Sequence, residues 1–356
     1  LNMPVVINAS LGQLTGSHDG LDAPAQFIDS LINAKPGRAM VCAAGNFGGL
    51  PDYHLGYNVN SDTSFTWFVS NPNSAFGFNA VFYELWADTN QFNNVNFSLG
   101  ASDSSNGNLI GRTSFGQIQN RLNILYTDSI FDDSGSYVTQ VQTYAECQGS
   151  RYLLQVFLNN PPSAHYYDLI TTGSGKLDVW SSSLFGYSDM LKNNLPGIGN
   201  LSRLSFYQKP DTLQSIVSSW ACSPNVITVG NYTNRNSFVD VDSVTQNFAV
   251  TPGALSASSS RGPSRLGVLK PDLSAPGDYT LAAGLAADLN AIKAIPALRS
   301  FVGLGGYHRR VGGTSMASPA VAGVVAMMLE KCPNSDIQTL KNNLYNSAYT
   351  DTLIGT

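Results

Sequence analysis

The sequence predicts an α/β protein, a parallel sheet flanked by helices, with a separate antiparallel β domain inserted into it. Three observations carry this. A strand–helix–strand crossover occupies the first fifty residues, period-two strands with no long helical pattern fill the next stretch, and α/β character returns from about residue 206. The expected segments are 1–50 for the first part of the core, 51–205 for an inserted sandwich of jelly-roll type, and 206–356 for the second part of the core.

Val5-Val6-Ile7, bounded by Gly12, reads as a buried parallel strand. From about Pro24 to Asn33 the spacing of Phe27, Ile28, Leu31 and Ile32 gives a helix with one apolar face. Ala39 to Ala44 form a second apolar strand, ending at Gly45-Asn46. A strand such as Val5-Val6-Ile7 needs neighbours on both sides, so the expectation is a fragment whose N-terminal part is missing. The β domain is marked by Phe65/Trp67/Val69, Val95/Phe97/Leu99, Leu122/Ile124/Tyr126, Leu154/Val156/Leu158 and Leu177/Val179, with polar turn clusters between them. Its aromatic residues, Trp67, Trp86 and Trp180 included, are expected in the core. After it come a strand over Asn225–Gly230, a rigid loop over Pro271–Gly277, a helix over Thr314–Leu329 and a last helix near Ser335–Tyr345.

Composition narrows the partners. The 356 residues are 43% hydrophobic and only 12% charged, with a net charge of −5 and no basic block. Phosphate binding needs clustered Lys and Arg, so nucleic acid is excluded as an expected partner. No apolar run is long enough to span a membrane. Richness in Asn, Ser, Gly and Tyr with little Lys suits a secreted, periplasmic or cell-surface protein. The four cysteines, Cys42, Cys147, Cys222 and Cys332, have no metal-type spacing; Cys42 reads as a core residue, and the sequence leaves any pairing open.

The most informative segment is Gly312-Gly313-Thr314-Ser315-Met316-Ala317-Ser318-Pro319. The glycines admit close backbone approach, and Ser315 stands where a helix begins, so free N–H groups and the helix dipole suit an oxyanion. Pro319 is expected in the first helical turn, where its missing N–H costs nothing. Followed by Ala320-Val321-Ala322-Gly323, this segment resembles the serine motif of the subtilisin-like serine proteases. Three further stretches resemble the same family, in its order. They are Val6-Ile7-Asn8-Ala9-Ser10-Leu11-Gly12, then Ala43-Ala44-Gly45-Asn46, then Ser259-Ser260-Arg261-Gly262-Pro263 with Lys270-Pro271-Asp272 and Ala275-Pro276-Gly277.

The resemblance implies a subtilisin-like fold and a serine endopeptidase acting on peptide or protein substrates. Ser315 would be the nucleophile and Asn46 an oxyanion donor beside the Ser315 N–H. Ser10, Leu11 and Gly12 would pair with substrate backbone, and Ala43, Ala44 and Gly45 would line the specificity pocket. No cofactor is required, and structural calcium is compatible with the family although no acidic loop has ligand spacing. A triad also needs a histidine base and an orienting aspartate. In the family these precede the strand at residue 5, in Asp-Ser/Thr-Gly and His-Gly-Thr motifs, and neither motif is expected to occur in this sequence. Of His18, His54, His165 and His308, none has such a context; His308 is expected on a surface loop and His18-Asp19 as a loop-stabilising pair. The chain alone is therefore expected to be inactive, with a missing N-terminal segment as partner. The alternative is a non-catalytic pseudoprotease or binding protein on the same scaffold.

Overall fold

The structure is a computed structural model that describes residues 3–49, 53–72, 77–181, 188–199, 201–211 and 215–350. The chain divides into two compact units. One comprises Leu1–Gln13, His18–Gly49 and Ser215–Thr356, the other Leu14–Ser17 and Leu50–Gln214.

The first unit is built on a parallel sheet. Its strands are β1 (Val5–Ala9), β2 (Arg38–Ala43), β14 (Ile227–Thr233) and β17 (Leu273–Asp278), hydrogen-bonded in that order. Helix α1 (Ala23–Asn33) joins β1 to β2 and starts on Asp22, whose carboxylate accepts from Ala25 N at 2.9 Å. The long helix α4 (Thr314–Lys331) packs on all four strands. Helix α5 (Ile337–Ser347) is capped by Asp336 and adds Ile337, Leu340 and Leu344 to the core of Val41, Cys42, Ile227, Val229 and Val325. Two hairpins, β15 (Ser237–Val239) with β16 (Thr245–Asn247) and β18 (Thr280–Ala283) with β19 (His308–Val311), and helix α3 (Ala286–Ala294) complete the unit.

Several expectations change here. The stretch read as a rigid loop is largely β17: a proline inside a strand is tolerated because β17 ends the sheet, where Pro276 owes no N–H to a further neighbour. Strand β1 is not enclosed but lies at the opposite edge, with Val5 50% and Ile7 54% exposed. The apolar face of α1 is divided: Ile32 is buried and Ile28 packs on the core, whereas Phe27 and Leu31 are exposed. His308 begins a strand rather than sitting in a loop, its backbone paired with Ala283 and its side chain exposed. All four cysteines are free thiols, Cys42 and Cys222 in the core and Cys147 and Cys332 exposed.

The second unit consists of two antiparallel sheets around one hydrophobic core. In the first, β3 (His54–Val59), β12 (Gly175–Ser181), β5 (Ala80–Asp88), β10 (Arg151–Asn159), β9 (Tyr137–Gln148) and β8 (Leu125–Phe131) lie in that order. In the second the order is β13 (Ser188–Met190), β4 (Ser64–Ser70), β11 (His165–Gly173), β6 (Val95–Asp103) and β7 (Leu109–Arg112). A short helix, α2 (Thr89–Phe92), follows β5 and buries Phe92. Leu85, Val156 and Val179 of one sheet meet Phe68, Phe97 and Leu169 of the other, and Phe68 stacks on Tyr83 with ring centroids 3.9 Å apart. Trp67, Trp86 and Trp180 are all buried.

Strand β8 begins at Leu125, later than the alternation from Leu122 suggests. Asn123 adopts φ +59° and donates its N–H to Ala145 O, which turns the chain before pairing can start. The unit also extends past 205, because Tyr207 and Asp211 form backbone bridges to Phe65 and His54.

Candidate active site

The site is assembled from the ends of β1 and β2 and the start of α4. At the N-terminus of α4, Gly313 has φ +105°, a conformation suited to glycine, and a Cβ there would lie 2.8 Å from Asn46 Nδ2. Gly313 N donates to Asp278 Oδ1 at 2.8 Å, so the last residue of β17 fixes the turn into the helix. Thr314 N and Thr314 Oγ1 both donate to Asn46 Oδ1, at 2.9 and 3.0 Å. Gly45 N donates in turn to Thr314 Oγ1 at 3.1 Å. With its oxygen fixed by two donors, the Asn46 amide presents its Nδ2 hydrogens as the remaining polar group.

Ser315 is the second residue of α4, so its N–H lies in the first turn, where no helical carbonyl reaches it. No acceptor holds it among the described residues. The Ser315 N–H and the Asn46 amide flank one another through Thr314 at the positive end of an eighteen-residue helix. The Ser315 hydroxyl is half-buried and donates to Ser10 O at 3.4 Å.

Pro319 is the sixth residue of α4, not a first-turn residue as expected. An N–H at that position would bond to Ser315 O, so the proline leaves that carbonyl free. Ser10 Oγ donates to it at 2.8 Å, Asn8 Nδ2 donates to Ser10 Oγ at 3.0 Å, and Ser318 Oγ donates to Asn8 Oδ1 at 2.7 Å. Strand β1 and helix α4 are thus laced together at Ser315.

Beyond Ser10, Leu11 (63% exposed) and Gly12 continue as open chain outside β1. Ala43, Ala44 and Gly45 are buried, and Gly45, at φ +113°, leaves room for the Phe47 ring and Ser260 Oγ. The Ser-Ser-Arg-Gly-Pro stretch braces this turn: Ser260 N donates to Gly45 O at 2.9 Å and Ser260 Oγ accepts from Phe47 N at 3.1 Å. The Lys-Pro-Asp stretch acts deeper. Lys270 Nζ donates to Ser223 O, Val226 O and Asp272, and Asp272 also receives Lys341 and the Tyr345 hydroxyl. Burial alone would raise the Asp272 carboxyl, but Lys270 and Lys341 hold it below the usual carboxylate range.

No histidine side chain bonds to Ser315 among the described residues. His18 Nδ1 is bound to Val217 O at 2.8 Å, and Asp19 pairs with Arg265 Nη2 at 2.5 Å, so both anchor the loop after β1. The sequence does contain one Asp-Ser-Gly triplet, Asp133-Ser134-Gly135, but it forms the turn between β8 and β9 of the second unit. Among the described residues no group of three His, Cys, Asp or Glu could hold a metal ion, and structural calcium has no assigned place. A cavity of about 810 Å³ lies elsewhere in this unit, between Tyr232, Lys270, Leu344 and Tyr349, and does not reach Ser315.

Sequence reasoning missed Thr314, Asp278, Asn8 and Ser318 as parts of this assembly. Thr314 and Ser318 stand inside the serine motif, whereas Asp278 has no local signal beyond following Ala-Pro-Gly.

Residues 198–355 match the subtilase family.

The match covers just under half of the chain and contains Ser315, its glycines and the Lys-Pro-Asp stretch. A solved structure described as a cold adapted subtilisin-like serine proteinase is 23% identical, over 38% of this chain and 34% of its own, with a TM-score of 0.23. This chain therefore spans about a third of that proteinase's length.

Proposed function

We propose that this chain supplies the nucleophile, oxyanion donors and substrate cradle of a subtilisin-like serine endopeptidase, acting on peptide or protein substrates outside the cytoplasm. The observation that carries the reading is Ser315 at the N-terminus of α4, its N–H without an acceptor among the described residues and Asn46 locked beside it through Thr314. Ser315 Oγ attacks the peptide carbonyl and forms an acyl-enzyme, and the carbonyl oxygen takes the negative charge. Ser315 N–H and Asn46 Nδ2 donate to that charge. Ser10, Leu11 and Gly12 receive the substrate as an added strand, and Ala43, Ala44 and Gly45 form the wall of the pocket for its side chain. The histidine and aspartate come from a segment upstream in the protein, and no cofactor takes part. The second unit, a jelly-roll insertion in this reading, contributes no group to the chemistry.

The test is Ser315-dependent cleavage of a protein substrate by the native protein, with Ser315→Ala as control. Asn46→Leu should slow turnover about ten- to a hundredfold, the worth of one hydrogen bond to a charged oxygen. The isolated 356-residue chain should cleave at a trace of the native rate. Native protein that is equally inert would favour a second reading, a binding protein on a subtilase scaffold. The observation on that side is that the Ser315 hydroxyl donates to Ser10 O and to no imidazole.

A further inference from the structure

On the outer face of the second sheet of the β unit, Phe65 and Ile170 form the floor of an apolar cleft of about 250 Å³, with Phe115 and Phe206 at its rim. The cleft exists partly because β6 carries Gly100, where a Cβ would lie 3.1 Å from Leu109 and 3.2 Å from Ile170. Two arginines border it. Arg203 is stacked on Phe65 at 3.9 Å and neutralised by the buried Asp168. Arg112, the last residue of β7, is stacked over Phe115 at 4.4 Å, its Nη1 donating to Thr113 O, and among the described residues no carboxylate pairs with it. A second groove, about 420 Å³, runs along β7 past Gly111, Ser114 and Phe131 and shares Leu109 and Arg112 with the first. Strand β7 ends its sheet: among the described residues no strand hydrogen-bonds to its outer side, although Phe131 of β8 lies against Gly111.

We propose that the β unit binds peptides by their free C-terminus, with an apolar last side chain in the Phe65–Ile170 cleft and its α-carboxylate on Arg112. The preceding residues lie along β7 and pair with its outer backbone groups. The charges are complementary: Arg203 already has its anion, whereas Arg112 holds a guanidinium in fixed orientation for one more. A carboxylate on a bare acyl chain would satisfy the arginine but leave the edge of β7 without hydrogen-bond partners. The polar strand edge therefore selects a peptide.

The test titrates fluorescein-labelled Thr-Ala-Leu-Phe, as free acid and as C-terminal amide, into the full 356-residue chain carrying Ser315→Ala, so that hydrolysis cannot consume the probe. Saturable binding of the acid, weakened roughly tenfold or more for the amide and for Arg112→Gln, is the expected result. Arg112 is exposed and makes no ion pair among the described residues, so this variant should keep the fold, which a melting curve verifies. Gly100→Val should abolish binding with Arg112 intact, because the added side chain enters the cleft. Equal binding of acid and amide, or no binding of either, would overturn the proposal. So would dodecanoate displacing the peptide while the amide competes no better than buffer, since the site would then belong to acyl chains.

Discussion

Ser10 Oγ donates a 2.8 Å hydrogen bond to the carbonyl oxygen of Ser315, an acceptor left without its helical donor because Pro319 stands four residues later. Ser10, just after β1, therefore replaces the missing helical bond and fixes the helix start that carries Ser315. Ser10→Ala should destabilise the chain by about 1 kcal/mol in urea unfolding, the usual net worth of one hydrogen bond. In a Pro319→Ala background, where the new alanine N–H can bond to Ser315 O, the same change should cost much less. Equal costs in the two backgrounds would show that the proline is not the reason for the Ser10 contact.

The β unit should have a stability that depends on pH in the alkaline range. His54 is buried between Asp178 (3.1 Å) and Asp211 (2.6 Å) and lies over the Trp180 ring. Burial lowers its affinity for a proton, but the two carboxylates more than reverse this and raise it from 6.5 to about 9. A raised folded value means that the stabilisation is complete below about pH 6.5 and disappears as pH rises through 9. Thermal melts across that window should fall for the wild type and stay flatter for His54→Gln. A wild-type profile as flat as the variant's would remove the charged pairings from this account.

In the segment that matches the subtilase family the sensitive range is acidic. Asp272 is held ionised by Lys270 and Lys341, so its contribution is present above its unfolded value of 3.8 and is lost as pH falls through the lower folded value. Asp272→Asn leaves two buried lysines without their shared carboxylate and should cost about 3–5 kcal/mol. Chemical denaturation at pH 7 measures this directly, and a loss under about 1 kcal/mol, the scale of one ordinary hydrogen bond, would mean that the backbone carbonyls alone satisfy Lys270.

Thiol reactivity should split the cysteines into two pairs. Burial pushes the Cys42 and Cys222 thiols up to about 12, whereas Cys147 and Cys332 are exposed. Native-state alkylation followed by mass mapping should label the exposed pair quickly and the buried pair only after unfolding.

Local chemistry makes some of this protein readable without coordinates. Asp22 and Asp336 announce helices because a short carboxylate satisfies first-turn N–H groups, and the alternation of Leu177/Val179 or Leu154/Val156/Leu158 can only be a strand with one buried face. Gly313, Thr314 and Ser315 could be picked out because a helix N-terminus and flanking glycines constrain so few residue types. By contrast, β17 was hidden by its proline, since a strand at a sheet edge needs no donor there and only tertiary placement reveals an edge.

The sequence by itself determined the strand–helix–strand opening, part of the antiparallel strand content and the serine at the head of α4. Only the tertiary structure decided that Asn46 Oδ1 meets Thr314, that Ser10 takes the carbonyl freed by Pro319, and that Asp278 fixes Gly313. Each of these contacts joins residues apart in the chain through one or two hydrogen bonds. Periodicity, capping and turn chemistry report only what neighbours in sequence do to each other, so no local pattern could have contained them.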